Sequence, residues 1–197
     1  MAAVLEAPAI LPEGAVLVPR KLWTNKEYCQ LITDGFLQDG KVELVNGEIW
    51  EKMGQGRLHS IVVTWLIAAL GPIFGFKRLQ CQSSLPVAEF GNPEPDLAVL
   101  AQNAENYRES APGSADTLLV VEASNTTLQA DLTAKVRQYG SAGIPEYWVV
   151  DIPNRLLHVF REPTESGYAS ETVLTPEDEV SPLAAPDASV RVSDLLP

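Results

Sequence analysis

The sequence predicts an α/β fold: helices packed against a sheet, a hairpin near the N-terminus and short strands at the C-terminus. Three stretches carry this reading. Leu118-Leu119-Val120-Val121 is a short continuous apolar run between polar breaks, the signature of a strand buried on both faces. Leu58 to Ile73 places Ile61, Val62, Trp65, Leu66, Ala69 and Leu70 at helical spacing, which predicts a helix lying on that sheet. Glu146 to Asp151 reads as a second strand, with Arg155 to Phe160 as its hairpin partner.

At 197 residues, 46% of them hydrophobic, the chain is long enough and apolar enough for one domain with a sizeable core. Residues 1–20 are Ala- and Pro-rich and read as a loose arm; 21–197 form the single domain. No eighteen consecutive residues are apolar and no charged leader precedes an apolar core. Neither a membrane span nor a secretory signal is therefore expected. Cys29 and Cys81 have no metal-ligand or redox spacing, which fits a cytoplasmic chain with two incidental thiols. The net charge of -12 weighs against tight nucleic-acid binding, because that binding rests on neutralising phosphates. A local basic face, from Lys77-Arg78, Lys135 and Arg137, is still available.

Taken in order, Thr24 and Glu27 have capping-box spacing and open a helix from about Asn25 to Asp34. Val42 to Trp50 is a hairpin, because Asn46-Gly47 suits a two-residue turn with positive φ at both positions. Gly54 and Gly56 punctuate the loop before the long helix, and His59 sits in that helix's first turn. Residues 79–87 read as a strand, and Asp96 to Leu100 as another after the turn at Gly91, Pro93 and Pro95. Residues 101–117 are a polar loop. Thr127 caps a helix running to about Ser141, with Leu128, Leu132, Val136 and Tyr139 on one face, and Gly140 and Gly143 mark its end. Short strands are expected near 169–173 and 190–192.

The chemistry concentrates at Asp96, Glu122 and Lys135. Glu122 ends the driest strand, and a buried carboxylate must be paired, hydrogen-bonded or bound to metal. Asp96 opens a similar strand, and Lys135 lies four residues after Asp131 on the next helix. Two carboxylates and a lysine so placed make a divalent-metal site. Plainer readings stand beside this one: Asp96 as a turn cap, Glu122 as a structural ion pair with Lys135, Asp131 and Lys135 as a surface pair, and His59 as a hydrogen-bonded structural residue. Glu43 and Glu48 are equally readable as outward residues of the hairpin. No phosphate-cradling loop or nucleophile elbow is present, and two histidines make a His-rich zinc site improbable.

The ordered set Tyr28, Glu43-Leu-Val-Asn-Gly-Glu48, His59-Ser60, Pro95-Asp96-Leu-Ala-Val99, Leu119-Val-Val-Glu122-Ala-Ser124, Asp131, Lys135, Tyr139 and Gly143-Ile-Pro-Glu146-Tyr-Trp-Val-Val-Asp151 resembles the Uma2 family, within the PD-(D/E)xK nuclease superfamily. The likeness covers roughly residues 22–195. It implies a restriction-endonuclease-like core, a mixed sheet flanked by helices. It also implies Mg²⁺- or Mn²⁺-dependent hydrolysis of DNA phosphodiester bonds. Asp96 matches the motif's Asp and Glu122 its second acid. The motif's Lys position holds Ser124, and Lys135 from the following helix stands in. Asp96, Glu122 and the backbone carbonyl of Ala123 are the implied metal ligands, with Lys135, Glu48 and His59 as further catalytic positions. The run after Glu122, Ala-Ser-Asn-Thr-Thr, departs from the commoner pattern, but the acids are intact. Two other readings remain: a catalytically silent binding or assembly module on the same fold, and a metal-dependent hydrolase of a non-DNA phosphoester. A homodimer is expected by analogy, with exposed apolar residues such as Trp148 or Phe160 at its interface.

Overall fold

The computed structural model describes residues 20–52, 54 and 56–197. The expected arm over 1–20 lies outside the described residues apart from Arg20.

Thr24 accepts a hydrogen bond from the Glu27 backbone and Glu27 reaches back to Thr24, so the capping box opens α1 (Asn25–Thr33) as expected. The hairpin β1 (Val42–Val45) and β2 (Glu48–Glu51) turns through Asn46 at φ 49° and Gly47 at φ 83°. The Asn46 side chain donates to the Ala134 carbonyl at 2.8 Å, which pins the turn to a later helix.

The eighteen-residue α2 (Arg57–Phe74) buries His59, Val62, Val63, Leu66, Leu70 and Phe74 on one face. Its length and mean hydropathy (1.5) alone would also suit a membrane span. Its inner face, however, packs into the core. The strand expected over 79–87 shortens to β3 (Leu79–Gln80), because Gln82 turns to φ 48°. Beyond it the chain keeps scattered single bonds, from Gln82 to the Pro95 carbonyl, Leu85 to Pro93 and Val87 to Gly91.

The central sheet then follows. It comprises β3, β4 (Leu97–Leu100), β5 (Thr117–Ser124), β6 (Glu146–Asp151), β7 (Leu156–Thr164) and β8 (Gly167–Leu174), in that order across the sheet. Only β5 and β6 are parallel, so the sheet is mixed. The expected strand near 169–173 is a full eight-residue partner of β7. A small separate ladder joins β9 (Glu179–Val180) to β10 (Val190–Arg191).

The helix expected from Thr127 to Ser141 is two helices, α3 (Leu128–Asp131) and α4 (Ala134–Ser141). The break falls at Thr133, with φ -127° and ψ -76°. α4 reaches the sheet through two glycines: a Cβ on Gly140 would stand 2.0 Å from the Gly167 carbonyl oxygen.

Strand alternation sorts the core. Leu119, Val121 and Ala123 face α2 together with Leu97, Val99 and Trp148, while Val120, Ala98 and Val149 face α4 with Tyr139 and Tyr147. Trp148 is 0% and Phe160 5% exposed, so neither offers an interface: Trp148 packs in the core on the α2 side of the sheet, and Phe160 lies against Tyr147 and Tyr168 on the other.

Candidate active site

The antiparallel register of β4 and β5 builds the centre. Leu97 pairs with Val121, so the residues one step outward, Asp96 and Glu122, meet on the α4 face. The Asp96 backbone N–H donates to Glu122 Oε2 at 3.3 Å, and the Ala123 N–H donates to Asp96 Oδ2 at 2.8 Å. Both acids are buried, at 7% and 3% exposure. His59, from the first turn of α2, brings Nε2 to 2.9 Å from the Asp96 carboxylate. Its Nδ1 is buried with no partner among the described residues.

Lys135 enters from α4. Its Nζ lies 2.9 Å from Glu122 Oε1, 3.2 Å from Glu43 Oε1 and 3.6 Å from Asp131 Oδ1. Tyr139, one turn on, donates to Glu122 Oε1 at 2.9 Å. Asp131 is fixed by the Ser124 and Thr127 hydroxyls, each donating at 2.6 Å. The pair Asp131 and Lys135 is therefore no surface pair: both are buried, at 2% and 7% exposure.

One ammonium thus serves three buried carboxylates. Burial pushes the Glu122 carboxyl well above its ordinary range; Lys135 pulls it back, and Asp96 and Asp131 push with burial. Burial likewise raises Asp131 against the opposing pull of Lys135 and its two hydroxyl donors. For Lys135 burial acts downward, but Glu122, Glu43 and Asp131 outweigh it and hold the ammonium well above its usual value.

These groups line a cavity of about 670 Å³ between the hairpin, the loop before α2 and the α3–α4 break. Its lining holds six acids, Glu43, Glu51, Glu94, Asp96, Glu122 and Asp131, against Lys52 and Lys135. Lys52 is already paired with Glu94.

Of the residues expected from sequence, the structure brings Asp96, Glu122, Ala123, Lys135 and His59 together. It does not bring Glu48. Glu43 and Glu48 point to one face of the hairpin, but Glu43 sits opposite Trp50 over the acids, whereas Glu48 lies nearer the turn, opposite Val45. There Glu48 holds Arg20 at 3.3 Å and the Trp50 indole N–H at 3.4 Å. Glu43 takes the place beside Lys135, and its Oε2 also accepts from the Glu94 backbone at 3.2 Å. Alternation along the strand allows either glutamate; the docking of the hairpin on α4 selects between them. Tyr139 was legible as an apolar-face residue and as a member of the family's ordered set, but nothing in its spacing marks the hydroxyl.

Among the described residues no three His, Cys, Asp or Glu side chains stand as a ready-made metal cluster. The donor set nevertheless suits a hard divalent cation: carboxylate oxygens in excess of cationic partners, converging from two strands. Mg²⁺ needs only one or two carboxylates, since it retains several waters.

Comparison with known proteins agrees with this architecture. No curated protein matches the chain. Among solved structures, a crystal structure described as a putative nuclease belonging to DUF820, from Anabaena variabilis ATCC 29413, superposes with a TM-score of 0.68. It shares 16% identity, over 87% of this chain and 96% of that one, a likeness of fold. The family profile of Uma2, described as "Putative restriction endonuclease", matches residues 26–193. With that match spanning the sheet, both helical layers and the acidic cavity, the chain belongs to the Uma2 family.

Proposed function

We propose that the chain is a divalent-metal-dependent endonuclease that hydrolyses DNA phosphodiester bonds. The observation that carries this is the charge imbalance: buried Glu122, Asp131 and Glu43 share the single ammonium of Lys135, with Asp96 beside them. An arrangement built for stability would balance these charges; one built to take a cation leaves them in excess.

Asp96 and Glu122 would hold Mg²⁺ or Mn²⁺. The Ala123 carbonyl would be a third donor, since in extended backbone a residue's C=O points to the same edge as its N–H, here toward Asp96. A bound divalent ion supplies Lewis acidity at the phosphoryl oxygens and a nucleophilic water at neutral pH.

Lys135 acts as a donor. In the metal-free chain three carboxylates hold it charged, which suits a hydrogen-bond donor. It donates to the attacking water or to a phosphoryl oxygen, stabilising negative charge as the water's P–O bond forms and the bond to the leaving oxygen breaks. Glu43 and Tyr139 set its direction, one from the hairpin and one through Glu122. His59 is a positioning residue that orients Asp96.

The acid-rich lining favours a second reading, a hydrolase of a smaller phosphoester, because a polyanion meets more repulsion there than a single diester does. Both readings are tested by hydrolysis assays with Mn²⁺ on supercoiled plasmid, single-stranded circular DNA and bis(p-nitrophenyl) phosphate. Cleavage of either DNA, abolished by EDTA and by Glu122→Gln, supports the endonuclease. Turnover of the small diester with both DNAs intact supports the second reading. Neither, from folded protein that binds Mn²⁺, leaves the silent module.

A further inference from the structure

A second cavity of about 440 Å³ adjoins the first, and Trp50 borders both. The same two elements wall the pair. The hairpin presents Glu43 and Trp50 to the first cavity and Val45 and Glu48 to the second. α4 presents Lys135 to the first and Arg137 to the second. The result is one groove that leaves the acidic centre past an indole and ends at a guanidinium.

Arg137 is exposed, and its guanidinium has no carboxylate or hydrogen-bond partner among the described residues. By contrast Lys52, Arg20 and Lys135 are all committed to carboxylates. Trp50 is only part-buried, and its indole N–H is steadied by Glu48 Oε2 at 3.4 Å. The floor is fixed, because Asn46 bonds Ala134 O at 2.8 Å and its backbone N–H bonds Gln138 Oε1, also at 2.8 Å. An aromatic edge, an uncommitted cation and a rigid floor are what an unpaired nucleotide requires: a face for the base and a donor fork for the phosphate.

We propose that this second cavity is a nucleotide subsite for single-stranded DNA, in which Trp50 stacks on an unpaired base and Arg137 binds a phosphate next to the one cleaved. The proposal rests on the endonuclease reading and narrows its substrate. In a duplex the base faces are already stacked and unavailable to Trp50. Duplex affinity rests on a broad basic surface, whereas this chain carries a net charge of -12 and its catalytic cavity holds acids in excess. Stacking recovers affinity that phosphate contacts here do not supply. Glu48, expected from sequence to be catalytic, acts in this account by holding the indole.

The test uses the full chain with Ca²⁺ in place of Mg²⁺, and fluorescein-labelled dT12 and a 12-base-pair mixed-sequence duplex as probes. Anisotropy should show dT12 bound at least tenfold more tightly than the duplex. Trp50→Ala should weaken dT12 binding by about 5- to 150-fold. Trp50→Phe, which keeps a stacking face, should stay within about threefold of wild type while losing most of the tryptophan quenching that dT12 causes. Arg137→Gln should lower the salt slope of dT12 binding by about 0.7. Circular dichroism confirms that each variant is folded; if Trp50→Ala is not, the quenching lost in Trp50→Phe decides. Duplex binding as tight as dT12, no binding of either probe, or dT12 binding indifferent to both Trp50 variants overturns the subsite. A Mn²⁺ titration of the wild type reads the catalytic centre separately. Metal binding without strand discrimination overturns the subsite alone; no metal binding with dT12 still quenching Trp50 keeps the subsite and overturns the hydrolase.

Discussion

Glu122 and Glu146 are both buried carboxylates on adjacent parallel strands, at opposite ends of one sheet, and they are treated differently. Glu146 is 0% exposed and fully met: Arg161 donates to Oε1 from Nε at 2.9 Å and Nη2 at 2.6 Å, and the Leu183 backbone N–H donates to Oε2 at 2.8 Å. One charge faces one charge, and each oxygen has its donor. Glu122 shares its lysine with Glu43 and Asp131, and Asp96 lies against it. Under the proposed function, the contrast separates an acid kept for the fold from an acid kept for a ligand. The first is balanced locally; the second stays short of positive charge until something cationic arrives.

The contrast can be broken most strongly at Glu122. Glu122→Gln should take Mn²⁺-dependent hydrolysis to background while costing less than about 1 kcal/mol at neutral pH, because the burial penalty removed offsets the hydrogen bonds weakened. Activity per folded molecule and urea denaturation give the two readings. A strongly destabilised variant in which Mn²⁺ binding and hydrolysis survive would make Glu122 structural.

Glu146→Ala should do the reverse. Leaving the Arg161 fork and the Leu183 N–H without an acceptor costs about 3–5 kcal/mol, with specific activity at permissive temperature unchanged. Lys135→Met belongs to both classes. It strips the one cation from three buried acids, at about 3–5 kcal/mol in the metal-free protein, and removes the charge that stabilises the phosphoryl group. Saturating Mn²⁺ should recover part of that stability but not the activity, as read by thermal melts with and without metal.

pH sharpens the difference further. The folded-state pKa values of Glu122 and Asp131 are raised, so between the ordinary carboxylate range and those values the folded chain holds protons that the unfolded chain has released. Metal-free stability contributed by these groups therefore falls as pH rises through that window. The wild type should gain on Glu122→Gln as pH is lowered. Lys135, raised instead, contributes fully across that window and loses its contribution only far above it. Metal competes with the same proton, so Mn²⁺ affinity should fall toward acid pH, with about one proton released on binding. Calorimetry in buffers of different ionisation enthalpy measures it. Wild-type Mn²⁺ binding with no proton released would contradict this.

Much of the centre was legible because burial is written in the sequence. Leu118 to Val121 announces a dry strand, so Glu122 at its end demands a partner. Asp96 and Lys135 were read from the residues and matched by the resemblance, and the antiparallel register explains why Asp96 meets Glu122. What was hidden depends on contacts between distant segments. The break at Thr133 was invisible because 127–141 carries helical spacing throughout. The structure ties Asp131 back to Ser124 and Thr127, and the chain restarts at Ala134. The choice of Glu43 over Glu48 turns on how far along α4 the hairpin docks. Trp148 and Phe160 read as surface candidates because no local signal reveals that α2 and Tyr168 will cover them. The short β3 follows from Gln82, whose positive φ no residue-type rule predicts.

The most direct test of the central claim is a calorimetric Mn²⁺ titration of wild type, Asp96→Ala, Glu122→Ala and Glu146→Gln, each shown to be folded. Binding in the wild type, lost in the first two variants and kept in the third, is the predicted result. A folded wild type that binds no Mn²⁺, or binding that survives the loss of both Asp96 and Glu122, would contradict the account and make the acidic centre a feature of the fold.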